Sequence, residues 1–222
     1  MVIRDTMKPA SKSSWKITLL SSPTNSENAL KHLIVQSVDS AIRQLFPEKY
    51  FSLCHVYAIV GSNVASIILN RNYRPVAGLS IIDCGAGNFI KLLDNHAFSS
   101  GSGGAYHSWI ESQPNDAVNN KELIDIPFKH NSAYARYHNL VWKKKDSSYL
   151  WGDFDKLVVK AELDELPETF PEGKIWLQET PEGQDWMCRQ VRDHLDEYCK
   201  ITTLSLKLIK TYNTLIQIRQ YH

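Results

Sequence analysis

The longest helical pattern in the chain runs from about residue 26 to 46. Ala29, Leu30, Leu33, Ile34, Val38, Ala41, Ile42 and Leu45 recur at intervals of three and four, and Pro47 ends the run. A 3.6-residue period gathers them on one face, so an amphipathic helix is expected. Thr24 and Glu27 have the three-residue spacing of a capping box. A second helical stretch covers about 54–69, carrying Tyr57, Ala58, Val60, Val64, Ile67 and Ile68. The segment from Tyr73 to Asp83 is β-rich and runs into a Gly85-Ala86-Gly87 turn. Two strand-like runs follow, Ala105–Glu111 and Glu122–Phe128, joined by a polar loop. Between them and the turn, residues 95–104 end in SSGSGG, which predicts a mobile flap leading into the next strand. Past residue 130 the pattern weakens. Pro167, Pro171 and Pro181 mark residues 164–183 as irregular connection. From about 184 to 218 the chain turns helical again, as two helices meeting near Thr202-Thr203.

This order predicts an α+β fold. The helices at 26–46 and 54–69 pack on an antiparallel sheet built from 73–83, 105–112 and 122–128, with the C-terminal helices as an added layer. Residues 1–25, rich in Ser, Thr and Lys with one apolar piece from Trp15 to Leu20, read as a flexible arm. Residues 26–222 read as a single domain.

Composition narrows the function classes. Lys and Arg number 25 against 24 Asp and Glu, a net charge of +1. That balance argues against a nucleic-acid partner held mainly through phosphate contacts. No run approaches the ~18 apolar residues of a membrane span, and no secretory segment opens the chain. The expectation is a cytoplasmic protein with reduced thiols. Its four cysteines, at 54, 84, 188 and 199, form no Cys-x-x-Cys pair, so no metal site is expected. His96, His130 and His138 suggest none either. Nothing in the chain specifies an oligomeric state.

The residues that could carry chemistry are Cys54, His107 and Asp125. Cys54 opens a helix, where the dipole and the unpaired backbone N–H groups stabilise a thiolate and can receive an oxyanion. His107 and Asp125 fall in the two consecutive strands. If these pair with His107 opposite Asp125, Glu111 faces Lys121 and the two side chains share one sheet face at about 5 Å. An imidazole so placed can take the thiol proton while the carboxylate fixes its tautomer. His55 follows the nucleophile, but adjacent helix residues point apart. Cys84, Cys188 and Cys199 read as packing residues, Lys143–Lys145 as a solvated run, and Trp142, Trp151, Trp176 and Trp186 as core.

The segment 54–128 resembles the transglutaminase-like branch of the papain-type cysteine enzymes. The resemblance rests on Cys54 with Tyr57-Ala58, then Arg74-Pro75-Val76-Ala77-Gly78, His107-Ser108-Trp109-Ile110-Glu111 and Asp125-Ile126-Pro127. Three positions depart from that pattern: Ser52-Leu53 replaces a Gly before the Cys, His55 a small or aromatic residue after it, and Leu123 a Trp before the Asp. The resemblance implies the papain-type fold and thiol-dependent acyl transfer or amide hydrolysis on a peptide or amide substrate. Cys54 is then nucleophile, His107 base and Asp125 the orienting acid, with no cofactor. An upstream amide often completes the oxyanion hole in such enzymes; Gln44 is the nearest candidate and Tyr50 the alternative.

Two other readings stand beside it. Ile81-Ile82-Asp83-Cys84-Gly85-Ala86-Gly87-Asn88 resembles the first motif of adenosylmethionine-dependent methyltransferases, in which a strand enters a Gly-rich turn and then a helix. The same fold could also serve as a non-catalytic binding module.

Overall fold

The computed structural model describes residues 23–100, 104–113, 120–146 and 148–220. The arm expected at 1–25, apart from its last three residues, lies outside them, as does most of the loop between the two expected strands. Helix α1 (Pro23–Leu45) and helix α2 (Cys54–Leu69) coincide closely with the periodic segments. Thr24 falls inside the first turn of α1 rather than ahead of it. Strand β1 (Tyr73–Gly85) is the longest of the sheet and β2 (Asn88–Leu92) returns beside it. A one-turn helix α3 (Ala97–Ser100) leads to β3 (His107–Ser112) and β4 (Glu122–Asp125). The chain then makes a 3-10 turn, Pro127–His130, and helix α4 (Asn131–Tyr137). Strand β5 (Leu150–Asp153), the short α5 (Phe154–Leu157), strand β6 (Trp176–Glu179), α6 (Pro181–Asp193) and α7 (Leu195–Gln220) complete it.

The fold is α+β. The sheet runs β2-β1-β3-β4-β5 with β6 also paired to β1, every strand pairing being antiparallel. Three of these strands were absent from the sequence reading. β2 replaces the helix that a methyltransferase turn requires: Ala86 and Gly87, both at positive φ, form the two-residue turn of a hairpin. β6 lies in the stretch expected to be irregular. Its four residues lie between a turn and the start of α6 and are recognisable as a strand only through β1.

Alternation along β3 and β4 divides the sheet into two faces. Ile110 and Ile124 join Ala77 in one core with residues of α1, α2 and α7, whereas Trp109 and Leu123 join Val76, Ile82 and Phe128 in a second core behind the sheet. Helix α2 lies close to the sheet at Gly61, where a Cβ would come 2.7 Å from Ile110 Cδ1. The C-terminal helices break at His194, eight residues earlier than expected, so Cys188 and Cys199 sit on separate helices and both are exposed.

The motif residues Arg74, Gly78 and Glu111 have structural reasons. Arg74 and Glu111 are cross-strand partners joined at 2.8 Å, and Arg74 also pairs with Glu179 of β6. Glu111, almost fully buried, further binds Lys121 and accepts from the Trp109 indole N–H. Gly78 is paired on both edges, with His107 and with Glu179, and a Cβ there would stand 2.1 Å from the Gln178 carbonyl oxygen. Gly78→Ala is therefore expected to destabilise the protein by about 3 kcal/mol through overpacking against backbone. A fall in the urea midpoint at constant slope checks it; an unchanged midpoint refutes the close approach.

Within the Lys143–Lys145 run, Lys143 and Lys145 are exposed as expected, but Lys144 is not merely solvated. Lys144 reaches Asp83 at 2.9 Å, and the backbone N–H groups of Lys143 and Lys144 both donate to Cys84 O. This segment clamps the β1–β2 hairpin.

Candidate active site

Cys54 is the first residue of α2, after a 3-10 turn at Tyr50–Ser52. The first backbone bond into this helix runs from Tyr57 N–H to Leu53 O, and no side chain caps it. The N–H groups of Cys54, His55 and Val56 thus precede the intrahelical ladder and point outward from the helix start. The sequence predicts this placement because Pro47 and the short link after it separate two strongly periodic stretches.

His107 opens β3 and Asp125 closes β4. The observed register aligns Ile110 with Ile124 and Glu111 with Leu123, so Asp125 stands opposite Trp109 rather than His107. The expected register is off by two residues. A slip of two keeps side-chain parity, so His107 and Asp125 still emerge on one face as diagonal neighbours. His107 Nε2 and Asp125 Oδ2 are 2.8 Å apart. Asp125 is fully buried, and its other oxygen accepts from the Phe128 N–H at 3.1 Å. The carboxylate is thus held from both sides.

The Cys54 thiol and the His107 imidazole, on the first residues of α2 and β3, line one cleft and interact there. With Nε2 engaged by Asp125, Nδ1 is the ring nitrogen left to the sulfur. Burial opposes ionisation of the thiol, but hydrogen bonds and charge from His107, then His55, outweigh it and bring Cys54 down to about 6. Burial likewise opposes the imidazolium. The charge and hydrogen bond of Asp125, joined by those of Cys54, push His107 up to about 10. These opposed shifts favour a thiolate–imidazolium pair between those limits.

His55 is turned toward the thiol, contrary to the expectation that neighbouring helix residues diverge. Its ring lies 3.2 Å through Nδ1 from the Tyr106 hydroxyl and packs edge-on against Trp186. Both imidazoles thus favour ionisation of the thiol. Tyr106 and Tyr134 are both raised, by burial first and then by the negative charge of Cys54.

Cys54 and His107 line a cleft of about 550 Å³ together with Phe51, Ser52, Tyr106, Asn131, Tyr134 and His138. Gln44 is not among its lining residues; it is exposed near the end of α1. Tyr50 packs on the His130 ring instead. Neither supplies the cleft with a donor. The flap expected at 95–104 is in part a packed segment: Phe98 is buried against Tyr106 and Trp186, and Arg189 donates to its carbonyl. Residues 101–103 lie outside the described residues.

A second carboxylate–imidazole pair escaped the sequence reading. Asp39 of α1 accepts from Tyr57 at 2.8 Å, from Lys129 at 2.7 Å, and lies 2.6 Å from His130 Nε2. Asp39 is the lone acid on the apolar face of α1, a signal visible in the sequence, but its partners are 18 to 91 residues away.

No family model and no curated protein matches the chain. A crystal structure known as genomics APC5867 aligns with it at a TM-score of 0.52 and 13% identity, covering 81% of this chain and 76% of that one. The likeness is one of fold. No helix among the described residues is long and apolar enough to cross a membrane.

Proposed function

We propose that the protein is a thiol-dependent acyltransferase or amide hydrolase of the transglutaminase-like, papain-type class. The observation carrying this is the continuous chain of partners Cys54–His107–Asp125 opening on a cleft. The Cys54 thiolate attacks a carboxamide or peptide carbonyl carbon; a C–S bond forms and the carbonyl π pair moves to oxygen. As the oxyanion collapses, the C–N bond breaks and His107 gives its proton to the departing nitrogen. Water or an amine then attacks the thioester, His107 takes its proton, and the thiolate leaves. Asp125 keeps the ring aligned throughout. The methyltransferase reading has no support in a Gly turn that joins two antiparallel strands.

The test is competitive alkylation with iodoacetamide at pH 6, read by peptide mapping. Cys54 should label first, exposed Cys188 and Cys199 later, and buried Cys84, pushed up to about 11 by burial, last. The pH for half-maximal labelling of Cys54 should lie near 6 and move up toward the free-thiol value of ~8.5 in His107→Ala. Labelling of Cys54 no faster than Cys188, unchanged by His107→Ala, rejects the enzyme and leaves the binding module.

A further inference from the structure

Resting on that reading, we infer that Asn131 is the side-chain donor of the oxyanion site, working beside the N–H groups that open α2. Among the described residues, several buried side-chain nitrogen and oxygen atoms lack a hydrogen-bond partner, and Asn131 is the one residue among them that lines the Cys54 cleft. Its amide nitrogen is the unpartnered atom, on a side chain 7% exposed. A buried amide donor without a partner is costly and rare, and a group that gains its partner only when substrate binds is one explanation with a use.

The position is built, not incidental. Asn131 is the first residue of α4, and the turn before it is pinned twice: Phe128 N–H donates to Asp125, and His130 is held by Asp39. Asn131, Tyr134 and His138 all line the cleft, the i, i+3, i+7 spacing of one helix face. Tyr134, on the same face of α4, lines the cleft together with Cys54. Of the other hydroxyls of the cleft, Ser52 donates to Lys49 O and Tyr106 bonds His55, while the Tyr134 phenol stands one turn from Asn131 on the same helix face. No Lys or Arg is among the described lining residues. A neutral amide in the cleft wall is thus the donor this inference assigns to the negative charge that develops on the carbonyl oxygen.

Two reagents separate this role from a structural one. Iodoacetamide alkylates a thiolate by displacement at carbon, with no oxyanion. p-Nitrophenyl acetate acylates it: the C–S bond forms through a tetrahedral oxyanion, the ester C–O bond breaks, and nitrophenolate leaves with the electron pair. In the full-length protein, Asn131→Ala and Asn131→Ser should slow acetylation of Cys54 by ~10²-fold, read as the nitrophenolate burst, while its alkylation rate stays within about threefold. Acetylation equal to wild type in both variants overturns the inference. A parallel fall in both reactions overturns it too, since Asn131 would then act by positioning the Cys54–His107 pair. Failure of wild-type Cys54 to outpace Cys188 in either reaction instead rejects the thiol-nucleophile reading itself.

Discussion

Cys54→Ala is expected to abolish the nitrophenolate burst, and His107→Ala to reduce its rate by ~10⁴-fold, the largest effects of any single change in this protein. The sulfur is the atom that forms the acyl bond, so its removal leaves only background hydrolysis. His107 acts twice. It holds the thiol ionised down to about pH 6, and it carries the proton for the leaving group as long as it is itself protonated, up to about pH 10. Turnover of a carboxamide should accordingly rise through pH 6 as the thiolate forms and fall through pH 10 as the imidazolium is lost. Asp125→Asn should cost less than His107→Ala, because the amide still occupies the space beside Nε2 but no longer stabilises the cation. Stopped-flow absorbance gives the burst rates. An acylated enzyme recovered from Cys54→Ala would place the nucleophile elsewhere.

Asp39→Ala is expected to destabilise the fold by about 3–5 kcal/mol, because it strips the shared acceptor from three buried or half-buried donors at once. Tyr57, the almost wholly enclosed aromatic of α2, would keep a hydroxyl with no acceptor. Although burial opposes the carboxylate, His130 and Lys129 hold Asp39 well below the usual carboxylate range. Its contribution to stability is present in full above the unfolded pKa of about 4 and is lost as pH falls below it toward the folded value. Wild-type urea midpoints should therefore drop between pH 4 and 2, with a shallower drop in Asp39→Asn. Equal midpoints for wild type and Asp39→Ala at pH 7 would show that the network contributes nothing.

The three residues of the proposed triad were legible because each carries a local mark: a helix start after a broken periodicity for Cys54, and consecutive β-rich runs for His107 and Asp125. The register error of two residues shows the limit of that evidence. The polar composition of the segment between the strands specifies no pairing register, while parity alone determines which side chains can meet. His55 was misjudged for a related reason. Spacing along a helix gives the angle between two Cβ vectors, but at a first turn the long imidazole is drawn back by Tyr106 and Trp186, which come from distant elements. The two strands β5 and β6 are four residues each, too short for a period to register.

By itself the sequence determined two helices, the second with both its boundaries, an α+β class and the three residues proposed as a triad. These depend on interactions within a dozen residues: periodic burial, a proline stop, a helix dipole. The tertiary structure alone decided which donors reach the sulfur, that Gly85-Ala86-Gly87 turns a hairpin, that Gln44 stays outside the cleft, and that Asn131 enters it. Each of those outcomes depends on where segments tens of residues apart are packed, and a contact at long sequence separation leaves no mark on the local pattern of either partner.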